Sequence, residues 1–129
     1  MAVTISGTSG INQDNIGTAP LKSFTSSNQS IPTATGQAFT VAHGLGVVPR
    51  IVRVVAVCLS ASGGYSAGDE TEPMFNNIDN GNQQTRPWAN ATYVGYQSGS
   101  SVVIMNLTNQ YGLNITNNSS WAIKVYAFA

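Results

Sequence analysis

The chain holds one imidazole, His43, and one thiol, Cys58, so nucleophilic or acid–base chemistry has few candidates. His43 opens AHGLGVVPRIVRVVAVC, residues 42–58. A Ser-His-Asp arrangement needs a hydroxyl nucleophile and an orienting carboxylate beside the ring. Apart from Asp14 the acids lie between 69 and 79, and no nucleophile-elbow pattern occurs. A histidine that closes a strand before Gly44-x-Gly46 reads instead as the cap of that turn, its ring nitrogens satisfying backbone groups. HGLG is not a phosphate cradle either, because the full spacing is absent and no helix follows to supply a dipole. Asp69, Glu70 and Glu72 are a second candidate, either for a hard cation such as calcium or for pairing with Arg50, Arg53 or Arg86. The spacing and turn glycine of a helix-flanked calcium loop are missing, which favours pairing. The third candidate is TRPWANATYVGY, which gathers Arg86, Trp88, Asn90, Tyr93 and Tyr96. Sugar sites use an aromatic face for the C–H side of the ring and amides or guanidinium groups for its hydroxyls. The alternative is that Tyr93 faces the core and Trp88 fills a seam between subunits.

These residues must be positioned by strands. QAFTVAH alternates, with Phe39, Val41 and His43 on one face and Ala38, Thr40 and Ala42 on the other. Gly44 and Gly46 allow backbone angles that other residues resist, and Pro49 keeps Val48 extended. IVRVVAVCLS, residues 51–60, is β-branched and apolar except at Arg53, and predicts a central strand buried on both faces. Residues 61–90 are loop-dominated, with a turn signal at Asp79-Asn80-Gly81, yet a structureless segment this long is uncommon, so short strands are expected inside it. ATYVGYQ (91–97) and SVVIMNL (101–107), joined by Ser98-Gly99-Ser100, predict a hairpin, TNQYGLNITNNSS a further loop, and WAIKVYAFA (121–129) a strictly alternating last strand. No amphipathic helical pattern occurs. The expected fold is an all-β antiparallel sandwich of about six strands over 36–129, behind an extended polar N-terminal arm over 1–35. In that arm the isolated Val3, Ile5, Ile11 and Ile16 are too few for a core and read as pegs against another subunit, the alternative being a disordered tail.

Composition narrows the function. The 129 residues suit one domain. Only 8% are charged, at a formal net charge of zero, so no basic stripe invites nucleic acid and no polybasic or long apolar segment invites a membrane. A surface of hydroxyls and amides suits permanent assembly or recognition of neutral polar ligands such as sugars. The lone cysteine excludes an intrachain disulfide or a thiolate zinc cluster and reads as a buried hydrophobe. MAVTISGTSG lacks the basic and apolar regions of a secretion signal, and no cofactor motif occurs.

AHGLGVVPRIVRVVAVC, GGYSAGDE and SSWAIKVYAFA together resemble a module of bacteriophage tail-fibre and related virion-fibre proteins, over residues 37–129. The layout is also similar to the trimeric H-type lectin sandwich. The resemblance implies a homotrimeric, non-enzymatic β-sandwich displayed on a virion, often for host-surface recognition. By that likeness His43, Gly44 and Gly46 form the turn, and Tyr65, Gly68, Asp69 and Glu70 a structured loop; no sugar ligand carries over. The expectation is therefore a small tail-fibre or tail-tip protein, anchored to other virion proteins by its arm, with a host-surface glycan meeting Arg86, Trp88, Asn90 and Tyr93. The alternatives are a capsid decoration protein that stabilises the shell and a free soluble lectin.

Overall fold

The computed structural model describes residues 5–6, 10–11, 21–32, 38–74, 86–97 and 102–129. Among the described residues the chain is all-β with no helix, and every strand pairing is antiparallel. The strands are β1 (Ile5–Ser6), β2 (Gly10–Ile11), β3 (Ser23–Thr25), β4 (Ala38–Ala42), β5 (Ile51–Cys58), β6 (Glu70–Thr71), β7 (Arg86–Ala89), β8 (Tyr93–Gln97), β9 (Val102–Met105), β10 (Gly112–Ile115) and β11 (Trp121–Phe128). Among the described residues one sheet has the order β3-β11-β5-β6 and a second β4-β8-β7, while β1 pairs with β2, and β9 pairs with β10 and bridges Met74 through Val103. Among the described residues more strands form than the six expected: β6 and β7 are short strands of the kind expected inside 61–90, whereas β10 lies in the segment read as loop and β1, β2 and β3 in the segment read as arm.

The two longest strands form the spine. β5 and β11 pair from Trp121 opposite Cys58 to Phe128 opposite Ile51, so alternation puts Trp121, Ile123, Val125 and Ala127 on the same face as Val54, Ala56 and Cys58. That face packs into one core with Val94 and Tyr96 of β8, Val102 and Ile104 of β9, and Ile115 of β10. Both sheets thus contribute side chains to a single core, as in a sandwich. Val54 to Cys58 are buried on both faces of β5, but Ile51, Arg53, Leu59 and Ser60 are exposed, so burial on both faces holds only for the middle of the strand predicted over 51–60.

Two expectations are corrected. The hairpin expected between 91–97 and 101–107 does not form: β8 already has β4 on one side and β7 on the other, and β9 turns back through Asn106–Tyr111 to pair with β10. Asn106 Oδ1 holds that turn by accepting from Thr108 N–H and Thr108 Oγ1–H at 2.9 and 2.6 Å. The linking Ser98-Gly99-Ser100 and the Asp79-Asn80-Gly81 turn lie outside the described residues. The arm boundary at 35/36 also fails, since β3 pairs with β11, Gln29 bridges Ile123, and Ile31 is buried in the core. Of the expected pegs, Ile5 and Ile11 are paired with each other in β1 and β2, while Val3 and Ile16 lie outside the described residues.

Candidate functional site

His43 follows β4 and is 5% exposed. Its backbone N–H extends the β4–β8 ladder by donating to Thr92 O at 3.1 Å. The ring bridges two segments: Nδ1 accepts from Leu45 N–H at 3.0 Å, and Nε2 lies 2.9 Å from Asn90 O. A carbonyl only accepts, so this pattern assigns the neutral tautomer with the proton on Nε2. Gly44 and Gly46 have φ of 65° and 78°, the left-handed region that lets Leu45 N–H fold back onto the ring. Both ring nitrogens are thus spent on backbone groups.

The acidic loop is engaged as well. Gly68, at φ 95°, turns the chain so that its N–H donates to Cys58 O at 2.8 Å and Asp69 O accepts from Cys58 N–H at 2.9 Å. Asp69 Oδ2 accepts from Ser66 N–H at 2.7 Å. Glu70 accepts from Tyr126 O–H at 2.6 Å and lies 3.6 Å from Lys124 Nζ, and Glu72 pairs with Arg53 at 2.7 Å. The Glu70 carboxylate, as acceptor of that hydrogen bond, raises the Tyr126 phenol above its ordinary pKa, with desolvation adding to the effect. Tyr65 anchors the other end of the loop: its ring meets Trp121 edge-on at 5.3 Å and its hydroxyl donates to Met105 O at 2.8 Å. Of the three arginines considered as partners, Arg53 takes the role. Among the described residues no group of three or more histidine, cysteine or acidic side chains is arranged to hold a metal ion.

The aromatic candidates lie on the outer face of the second sheet. β7 and β8 form a hairpin in which Trp88 is opposite Gly95 and Arg86 opposite Gln97; β4 adds Thr40 opposite Gly95 and Ala42 opposite Tyr93. Paired residues share a face, so Trp88, Tyr93, Gly95 and Thr40 occupy one surface. Trp88 and Tyr93 are 38% and 44% exposed. A Cβ at Gly95 would stand 2.2, 2.4 and 2.5 Å from Trp88 Cε2, Cζ2 and Nε1. The indole therefore lies across the Gly95 backbone, where only a residue without a side chain leaves room, and its other side meets solvent.

Asn90 serves the hairpin turn: its Oδ1 accepts from Thr92 N–H at 2.8 Å and Tyr93 N–H at 2.7 Å, and its carbonyl is the one His43 holds. Its carboxamide oxygen is therefore occupied by the turn. Tyr96 does not belong to the outer face; it is fully buried and stacked on Phe39 at 5.7 Å. Gly95 was missed from the sequence, although a glycine inside an aromatic strand, YVGYQ, is the signature of a close approach by another group.

No family model, no curated protein and no solved structure matches the chain.

Proposed function

We propose that the chain is a non-enzymatic structural protein of a virus particle, a small tail-fibre or tail-tip component that assembles as a homotrimer and recognises a host-surface glycan with the outer face of the β4-β8-β7 sheet. The observation that carries the glycan role is the exposed Trp88 indole lying flat on Gly95, with Tyr93 and Thr40 on the same surface. A flat sheet offers a pyranose an apolar ring for its C–H side, with hydroxyl and amide groups around it. The virion placement is supported by the likeness of AHGLGVVP, GGYSAGDE and SSWAIKVYAFA to virion-fibre modules.

The assembly role draws support from Leu21, Val47, Val48 and Ile51, all exposed. Lys22 joins this region together, its N–H group at Nζ donating to Leu45 O and its carbonyl accepting from Ala129 N–H. The same residues favour a second reading, a decoration protein whose neighbours on the shell cover them permanently. Antibody-gold microscopy of purified particles separates the two: labelling confined to the tail supports the fibre, and labelling over the whole head supports decoration. The glycan role is tested by glycan-array binding of the purified chain against Trp88→Ala. Loss of binding at unchanged oligomeric mass is the expected result, and a change of mass makes Trp88 a subunit seam.

A further inference from the structure

The indole of Trp121 is buried at the start of β11, and its Nε1–H has no acceptor among the described residues. A buried donor left unpaired costs more than an ordinary hydrogen bond returns, so such a group in a core points to a partner in the adjoining space. Trp121 also lines a cavity of about 150 Å³, set where β10 leads into the turn before β11. The cavity wall carries hydroxyl or carboxamide groups at Ser62, Asn114, Thr116 and Asn117, apolar surface at Leu113 and Ile115, and no charged side chain.

This wall is held in place by its own backbone. The Asn117 carbonyl accepts from Ser120 N–H at 3.1 Å and Trp121 N–H at 3.0 Å, and Asn117 Oδ1 accepts from Ser119 N–H at 2.9 Å and Ser119 Oγ–H at 2.7 Å. That leaves the Nδ2 protons of Asn117 to donate elsewhere. Ser62 is fixed by a pair of backbone bonds with Tyr65, across Gly63 and Gly64 at φ of 61° and 88°. Leu113 Cδ2 lies 2.6 Å from where a Gly63 Cβ would stand, so the loop and β10 are in close contact. The hydroxyls of Ser62 and Thr116 and the carboxamide of Asn114 make no hydrogen bond among the described residues.

We propose that this cavity takes a small neutral polyol, one oxygen accepting from Trp121 Nε1–H and the other hydroxyls meeting Asn114, Thr116 and Asn117. The space matches on the order of five waters at about 30 Å³ each, which admits a hydroxylated chain of about three or four carbons and no drug-sized ligand. Alcohol oxygens both donate and accept, as this mixed wall requires, whereas an ion would find no opposite charge in it. The inference is independent of the glycan reading, because no residue of the cavity belongs to the Trp88 surface.

The test is an NMR titration of the isotope-labelled full chain with glycerol and erythritol, read at the indole N–H resonances of Trp88 and Trp121. The Trp121 resonance should shift and saturate with a Kd of about 1–100 mM, as a ligand of few non-hydrogen atoms permits, while that of Trp88 stays in place. Asn114→Leu and Thr116→Val nearly keep the side-chain size and remove one polar partner each, so each should weaken binding about two- to tenfold. Propanol, with a single hydroxyl, should bind more weakly than glycerol by a similar factor, and equal affinity overturns the polyol class. A Trp121 resonance that stays still, or that drifts together with Trp88 without saturating, overturns the site. Affinity unchanged in both variants overturns it as well.

Discussion

Replacing Gly95 with alanine perturbs the aromatic face by a single methyl group, and the structure sets the size of the effect. The new Cβ would lie 2.2–2.5 Å from three indole atoms that span both rings of Trp88. Ordinary carbon contacts are about 3.5–4.0 Å, so the indole must rise by more than about 1 Å or swing off the sheet. Gly95 has no left-handed φ, so alanine meets no backbone strain there and should restrict the unfolded chain, a gain of about 0.4–1 kcal/mol. Against this, a swing that bares about 100 Å² of indole costs about 2.5 kcal/mol at about 25 cal/mol per Å². The net expectation is a loss of about 1.5–2 kcal/mol, or a melting temperature lower by about 5–10 °C for a domain of this size. Fluorescence reads the same event locally. Trp121 is 2% exposed and stays as an internal reference, while the Trp88 component should shift to the red and become more accessible to acrylamide. In a Trp88→Ala background the Gly95→Ala change should turn neutral or stabilising, which isolates the contact as a coupling energy. If Gly95→Ala raises the melting temperature equally in both backgrounds and leaves the emission unchanged, the indole does not lie on Gly95 and the platform is misplaced.

Two further outcomes are expected. His43→Leu fills the space but strands Leu45 N–H and Asn90 C=O, at about 1–3 kcal/mol for each unsatisfied group, so the urea midpoint should fall accordingly; a loss below about 1 kcal/mol would show that the imidazole is not the bridge. Tyr126 holds its proton more tightly in the folded chain, chiefly through its hydrogen bond to Glu70, so its contribution to stability is fully present below the ordinary tyrosine value of about 10 and is lost as pH rises through the higher folded value. Absorbance titration at alkaline pH should show a late-ionising component that Glu70→Gln diminishes by one phenol; a titration curve indifferent to the substitution would count against the Tyr126–Glu70 bond.

The central strands were legible because they bury most of what they carry. In β11 the alternation of Trp121, Ile123, Val125 and Ala127 matches the buried face, and in β5 the run from Val54 to Cys58 is enclosed from both sides. Edge elements left fainter traces. β10 contributes only Leu113 and Ile115 within an Asn- and Thr-rich stretch, and β3 only Phe24, so neither displays enough alternation to stand out from loop. β7 was hidden by Pro87, which lacks the ladder donor and is tolerated because β7 is the outer strand of its sheet. The hairpin error has a different origin. Periodicity reports that a segment is a strand but says little about its partner, and β9 found β10 because β8 was already flanked on both sides. The clustering of Arg86, Trp88, Asn90 and Tyr93 was visible in sequence; the division of labour among them, with Asn90 assigned to the turn and Trp88 to the surface, depends on register and was not.

His43 connects these levels. It follows the last residue of β4, and its ring reaches Asn90, the residue that closes β7 and caps the turn into β8. Beneath the outer face, Val94 and Tyr96 are fully buried and Tyr96 stacks on Phe39 of β4, so the strands that carry Trp88 and Tyr93 are fixed from below by the core. From the end of the sheet they are fixed by the imidazole. An aromatic surface held in this way would lose little conformational freedom on binding, which is what the proposed saccharide role requires. A histidine with both nitrogens committed to backbone cannot also act as a base, and its removal should loosen the Asn90 turn before it disturbs the β5–β11 spine. The residue that first suggested catalysis is therefore better understood as the brace of the β4-β8-β7 face.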